Sequence, residues 1–148
     1  MSFVTQVSAA VQLYLIDTSV WIFGLRRNAP AAVTRRISDL LQLDVVATCG
    51  LIELELLGGT RDEPEFDRLR SRLKGLHYLP TEPVDWTGAA RLAYDLRRLG
   101  VTVPYTDALL AAVARRSGAI IVHADRDFDL IAAHSGLDVE SLVEVIDT

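Results

Sequence analysis

Two short apolar runs set the limits on what this chain can fold into: Leu13-Tyr14-Leu15-Ile16 near one end and Ala119-Ile120-Ile121-Val122 near the other. Each is too short for a helix, rich in branched side chains and bounded by polar residues, so each reads as a strand buried on both faces. Val45-Val46-Ala47 is a weaker strand of the same kind, and Leu142 to Ile146 reads as an edge strand. Between them lie amphipathic stretches of helical period, roughly Pro30 to Leu43, Leu51 to Leu57, Glu63 to Lys74, Val84 to Leu99 and Tyr105 to Arg116, with a last helix after Asp127. Pro30, Pro64, Pro83 and Pro104 stand near helix starts. Gly100 and Gly118 follow helix ends whose Arg97-Arg98 and Arg115-Arg116 complement the terminal dipole. Doubly buried strands alternating with helices require a parallel sheet covered on both sides, so the fold class is α/β.

No repeat, low-complexity tract or linker divides the sequence, and its 148 residues are one domain's worth, read as a single unit over 1–148 with a short leader at 1–11. The lone cysteine, Cys49, excludes an internal disulfide framework and any multi-thiolate metal site, and points to a reducing, cytoplasmic setting. Val7 to Ile16 is fairly apolar, but the first basic residue is Arg26, so the charged segment of a signal peptide is missing. No apolar run approaches the ~18 residues of a membrane span. The net charge of −5 argues against nucleic acid as a partner, unless the acids are concentrated in a site that metal ions neutralise. All but one of the fifteen basic residues are arginine, several in pairs (Arg26-Arg27, Arg35-Arg36, Arg97-Arg98, Arg115-Arg116). Such forks can grip phosphate, although any one pair reads equally well as a solvated helix face.

Ligands of open parallel sheets bind beyond the carboxyl ends of the strands. Asp17 directly follows the first strand, and Asp125 comes just after the strand ending near His123. Either could serve only as a helix cap; an aspartate in that place on both strands is less easily dismissed. Asp107 is a sharper signal. Its neighbours at i+3, i+4 and i+7 are Leu110, Ala111 and Ala114, so it sits above a core-facing stripe where an unpaired carboxylate is costly. Glu53 and Glu55 lie in an otherwise apolar helix, two residues apart and so on nearly opposite sides; at most one can serve a given pocket, and periodicity does not choose between them. Converging carboxylates with no cysteine or histidine cluster select a hard cation, Mg²⁺ or Mn²⁺. His77, His123 and His134 show no ligand spacing. A cluster of that kind also suits phosphodiester hydrolysis, in which the cation activates water and shields the phosphate.

Four ordered motifs carry a resemblance. Leu15-Ile16-Asp17-Thr18-Ser19-Val20-Trp21, Glu55-Leu56-Leu57-Gly58-Gly59, Asp107-Ala108-Leu109-Leu110-Ala111-Ala112 and His123-Ala124-Asp125-Arg126-Asp127-Phe128 together resemble the PIN-domain ribonucleases, most closely the VapC-type toxins of type II toxin–antitoxin pairs. The match runs over about residues 12–146. It implies a three-layer α/β/α sandwich around a mainly parallel sheet, and it favours Glu55 over Glu53. The metal-holding acids it implies are Asp17, Glu55, Asp107 and Asp125, with Asp127 as a fifth, outer acid or a substitute for Asp125; Thr18 or Ser19 would hydrogen-bond within the site. It implies an endoribonuclease that hydrolyses RNA with metal-activated water, a homodimer, and a small cognate VapB-like antitoxin that places a side chain in the acidic pocket. Many members carry Thr or Ser where this chain has His123. Two other folds with acidic pockets fit less well. A signalling receiver domain needs a lysine after a late strand, and Lys74 ends a middle helix; a haloacid-dehalogenase-like phosphatase needs Asp-x-Asp, where this chain has Asp17-Thr18-Ser19. A PIN-like module that binds without cutting is the non-enzymatic alternative.

Overall fold

The structure, a computed structural model, describes residues 11–146, so the expected leader lies, apart from Val11, outside the described residues. The chain runs β1 (Tyr14–Ile16), α1 (Thr18–Leu25), α2 (Ala31–Gln42), β2 (Val46–Thr48), α3 (Gly50–Gly58), α4 (Glu63–Leu73), β3 (His77–Tyr78), α5 (Pro83–Arg98), α6 (Tyr105–Ser117), β4 (Ile120–His123), α7 (Arg126–Ala133), β5 (Val139–Ser141) and α8 (Val143–Ile146). The strands form one sheet in the order β3-β2-β1-β4-β5, every neighbouring pair parallel. Winding proceeds outward from β1 to β2 and β3, then returns to β4 and continues to β5. The reversal opens a crevice beyond the carboxyl ends of β1 and β4, where such sheets bind their ligands.

Strand residues alternate between faces, and the two faces have separate cores. Leu15, Ala47 and Ile121 pack with Ile52 and Leu56 of α3, Leu92 and Leu96 of α5, the apolar side of α6, and Phe128 and Ile131 of α7. Ile16, Val46 and Val122 pack on the other side with Val20 of α1 and Val33, Ile37 and Leu40 of α2. The result is the expected α/β/α sandwich. Gly118 ends α6 at φ 68°, a left-handed cap that costs glycine little and other residues more.

Two expectations change. Leu142 to Ile146 is not a strand: the edge strand is the preceding Val139–Ser141, paired in parallel with β4. Ser141 Oγ then accepts the Val143 N–H at 3.3 Å and starts the short helix α8. The run is apolar because Leu142 and Val143 are buried, and a single helical turn suits that as well as a strand does. The other change is the added edge strand β3, whose two residues are both exposed and give no buried pattern to read. Two arginines of the paired sets are taken up in the fold. Arg36 of α2 clasps Glu140 of β5 through two 2.8 Å contacts, and Arg116 of α6 binds Asp85 of α5.

Candidate active site

Asp17 and Asp125 stand in matching places, each capping a helix and facing the crevice. Asp17 Oδ2 accepts from the Ser19 N–H at 3.1 Å and from Ser19 Oγ at 2.6 Å. Asp125 Oδ1 accepts from the Asp127 N–H at 2.9 Å. Capping occupies one oxygen of each carboxylate, so the cap role and the site role coexist. Ser19 does more than serve Asp17: its Oγ also accepts the Ala124 N–H at 3.0 Å, tying the end of β1 to the turn after β4.

Asp107 comes in from the first turn of α6. Its Oδ2 is buried without a hydrogen-bond partner. Burial, reinforced by the charges of Asp125, Asp17, Asp127 and Glu55, pushes its pKa up to about 7. Asp107 is thus the hub on which the other four acids act. Asp107, Asp125 and Asp127 each present a carboxylate oxygen, all three within 4.8 Å of one another. Asp127, ranked last among the candidates by sequence, belongs to this tight group, and its pKa is raised by burial and by Asp125. Asp17 and Glu55 border the group. Glu55 Oε1 accepts from Thr18 Oγ1 at 3.3 Å, and burial together with the Asp17 charge raises its pKa. Glu55 is the α3 glutamate whose charge reaches Asp107.

Whether these residues suit a divalent cation can be judged from the orphaned oxygen and the donor set. A carboxylate half-buried among four others is held apart from its preferred charge state, and several kcal/mol oppose gathering them ionised without a counter-charge. An oxygen-only set of three close carboxylates is what Mg²⁺ or Mn²⁺ prefers, and it offers zinc neither thiolate nor imidazole. The residues fit such a cation.

His123 is the site residue that spacing did not reveal. It is fully buried at the end of β4, against the Phe128 ring at 5.3 Å. Nδ1 accepts the Asp125 N–H at 3.2 Å, and Nε2 lies 3.1 Å from Asp129 Oδ1. Burial lowers its pKa, opposed by the nearby acids, so the ring is held neutral. No metal-ligand spacing announces this role; only a histidine placed at the end of a buried run hints at it.

Comparison with known proteins gives a consistent answer. The PIN domain model matches residues 14–134. The chain is 37% identical over 134 residues to the VapC ribonuclease Mb1587 of Mycobacterium bovis, covering 87% of this chain and 98% of that one. It is 29% identical to ribonuclease VapC18 of Mycobacterium tuberculosis, covering 88% and 96%. Among solved structures, VapBC2 of Rickettsia felis bound to a promoter DNA fragment superposes with a TM-score of 0.73 at 18% identity, covering 88% of this chain and 98% of that chain. VapC20 of Mycobacterium tuberculosis, a toxin that cleaves the sarcin-ricin loop, superposes with a TM-score of 0.62 at 20% identity, covering 81% and 94%.

Proposed function

Because this chain belongs to the PIN-domain family, and within it to the VapC ribonucleases, we propose that it is an endoribonuclease toxin of a toxin–antitoxin pair, acting with Mg²⁺ or Mn²⁺. The observation that carries the metal assignment is the buried, unpartnered Asp107 Oδ2 within the three-carboxylate group. Asp107, Asp125 and Asp127 are the direct holders in this reading, and Asp17 and Glu55 act from the border, directly or through water. When bound, the cation supplies the counter-charge that lets a phosphodiester approach and polarises it toward attack by water.

The residues then divide the remaining work. Ser19 fixes Asp17 Oδ2, leaving the other oxygen to face the crevice. Glu55 is the most exposed of the five acids and has a raised pKa, both of which suit it to take the proton from the attacking water at its carboxylate. The substrate is RNA, as the names of the relatives state for those proteins. The partner is a small VapB-like antitoxin, and a basic side chain such as arginine matches the acidic pocket. A homodimer is also proposed. Trp86, Tyr94 and Tyr105 are 63%, 54% and 73% exposed along the α5–α6 face, an apolar surface of the kind that marks protein contacts. Among the described residues no helix is long and apolar enough to cross a membrane.

The test is cleavage of total RNA by the purified, antitoxin-free protein with Mn²⁺, with EDTA, and with Asp107→Asn, mapping new 5′ ends by sequencing. Discrete cuts that vanish in both controls support the reading and identify the target. Cuts that persist in EDTA overturn the metal assignment, and absence of both cuts and Mn²⁺ binding favours a binding module without catalysis.

A further inference from the structure

We propose that His123 is a positioning residue: its Nδ1 captures the Asp125 backbone N–H and thereby sets the angle at which Asp125 enters the acidic group. The inference rests on the reading of that group as a cation site. A fully buried imidazole is expensive at the end of a strand, and an aliphatic residue would fill the same space at lower cost unless a ring nitrogen serves a buried partner. Here Nδ1 is hydrogen-bonded, while Nε2 has a carboxylate oxygen near it but makes no hydrogen bond. The Asp125 N–H points at Nδ1 from 3.2 Å, so Nδ1 carries no proton and the ring hydrogen sits on Nε2. Nε2 faces Asp129 Oδ1 at 3.1 Å, and Asp129 Oδ2 accepts in turn from Ser141 Oγ at 3.2 Å on β5.

The turn after β4 is therefore secured at two successive amides. Ser19 Oγ takes the Ala124 N–H and His123 Nδ1 takes the Asp125 N–H. Neither amide is left to water, and the backbone that carries Asp125 has little freedom to rotate away from Asp107 and Asp127. A Thr or Ser hydroxyl at this position can reach the same i+2 amide, since such side chains bond the backbone two residues on. His123 thus supplies with a ring nitrogen what a hydroxyl can supply with oxygen, in the tautomer whose proton sits on Nε2, on the side of Asp129.

The experiment measures Mn²⁺ affinity by calorimetry and thermal melting of metal-free protein for wild type, His123→Ala, His123→Asn, His123→Thr and His123→Gln. Asn and Thr keep an acceptor in the place of Nδ1, whereas Gln keeps a polar group only in the place of Nε2. All four should melt below wild type because the core loses a ring. Ala and Gln should bind Mn²⁺ about tenfold more weakly or worse, with Asn and Thr within about threefold of wild type. Wild-type affinity in His123→Ala, or equal losses in Asn, Thr and Ala, overturns the proposal. Nitrogen-15 NMR of the wild-type histidine ring decides the point independently of mutant folding: the proton belongs on Nε2, and a proton on Nδ1 overturns the proposal. If wild type binds no Mn²⁺ while the Nε2–H tautomer is found, the cation reading falls and the His123–Asp125 bond stands.

Discussion

Arg116 grips both carboxylate oxygens of Asp85, Nε to Oδ1 at 2.8 Å and Nη2 to Oδ2 at 3.0 Å, joining the last turn of α6 to the first turn of α5. The same Nη2 donates to the Pro80 carbonyl at 2.7 Å, and Asp85 Oδ2 also accepts the Glu82 N–H at 2.7 Å. The Asp85 side chain is 1% exposed while that of Arg116 is 33% exposed, so the two ends of the pair are not equivalent. Removing Arg116 strands a buried charge; removing Asp85 frees a cation that can turn to water. Arg116→Ala should therefore lower unfolding free energy by about 3 kcal/mol. Asp85→Ala should cost less, and the double variant should match Asp85→Ala. Urea denaturation of the three variants measures this, and equal losses in both single variants would refute the asymmetry.

The pH dependence of the metal-free protein has two opposed parts. Arg116 holds Asp85 below the usual carboxylate range, so its contribution is present above the ordinary aspartate pKa and fades as pH falls. Burial raises Asp107 to about 7, so its neutral form is the one the fold tolerates; that contribution is full below 3.8, the ordinary value, and is lost as pH rises through 7. Metal-free protein should consequently melt highest in mildly acid buffer and lose on the order of 2 kcal/mol by pH 8. Saturating Mn²⁺ should reverse the alkaline loss. A melting temperature of the metal-free protein that rises steadily from pH 5 to pH 8 would contradict the Asp107 assignment.

Mn²⁺ binding should also release a proton from Asp107 near neutrality, because only the ionised carboxylate ligates. Calorimetry in buffers of differing ionisation enthalpy should show proton release at pH 6.5 and almost none at pH 8.5. Affinity should climb with pH up to about 7 and then level off.

Asp107→Asn separates stability from activity. Replacing the strained carboxyl with a neutral amide removes its repulsion with Asp125, Asp17, Asp127 and Glu55. The variant should melt above wild type at pH 8 without metal, while RNA cleavage falls by at least about a hundredfold. Circular dichroism melts alongside a cleavage assay check both. Asp17→Asn should cleave as poorly and keep its fold, since an amide oxygen can still accept from Ser19.

Ser19→Ala keeps the backbone N–H on Asp17 but removes the Oγ donor to it and the acceptor for the Ala124 N–H. Stability should drop by about 1–2 kcal/mol, and Mn²⁺ affinity by roughly tenfold. Thermal melts and calorimetry on Ser19→Ala and Ser19→Thr, with Thr retaining most of the affinity, give the measurement.

What the sequence made legible follows what is local. Asp17 and Asp125 could be found because each ends a buried run, and Asp107 because its helical neighbours are apolar. Ser19 as a bridge depends on how β1 and β4 are laid side by side, and Asp127 as a member of the close triad on how α6 meets the turn after β4, neither of which spacing within one element encodes; the His123 contact is local, but it needs a buried rotamer that spacing does not show. The arginines divide the same way. Arg36 and Arg116 look like their neighbours Arg35 and Arg115 in sequence, and only the arrival of Glu140 and Asp85 from elsewhere distinguishes them. The misplaced last strand is a different case: the Ser141 contact that ends it is local, and the buried Leu142 and Val143 suit a strand and a single helical turn equally.

The Ser19–Ala124 bond spans 105 residues of chain and joins the segments that follow two neighbouring strands, β1 and β4. During synthesis Asp17 and Glu55 emerge long before Asp107 and Asp125, and β1 has nothing on one side until β4 is made. Slow, long-range closure of this kind comes late in folding. The acidic group therefore cannot exist on a partly made chain, and a chain still being synthesised carries the first two acids of the site without the others that complete it.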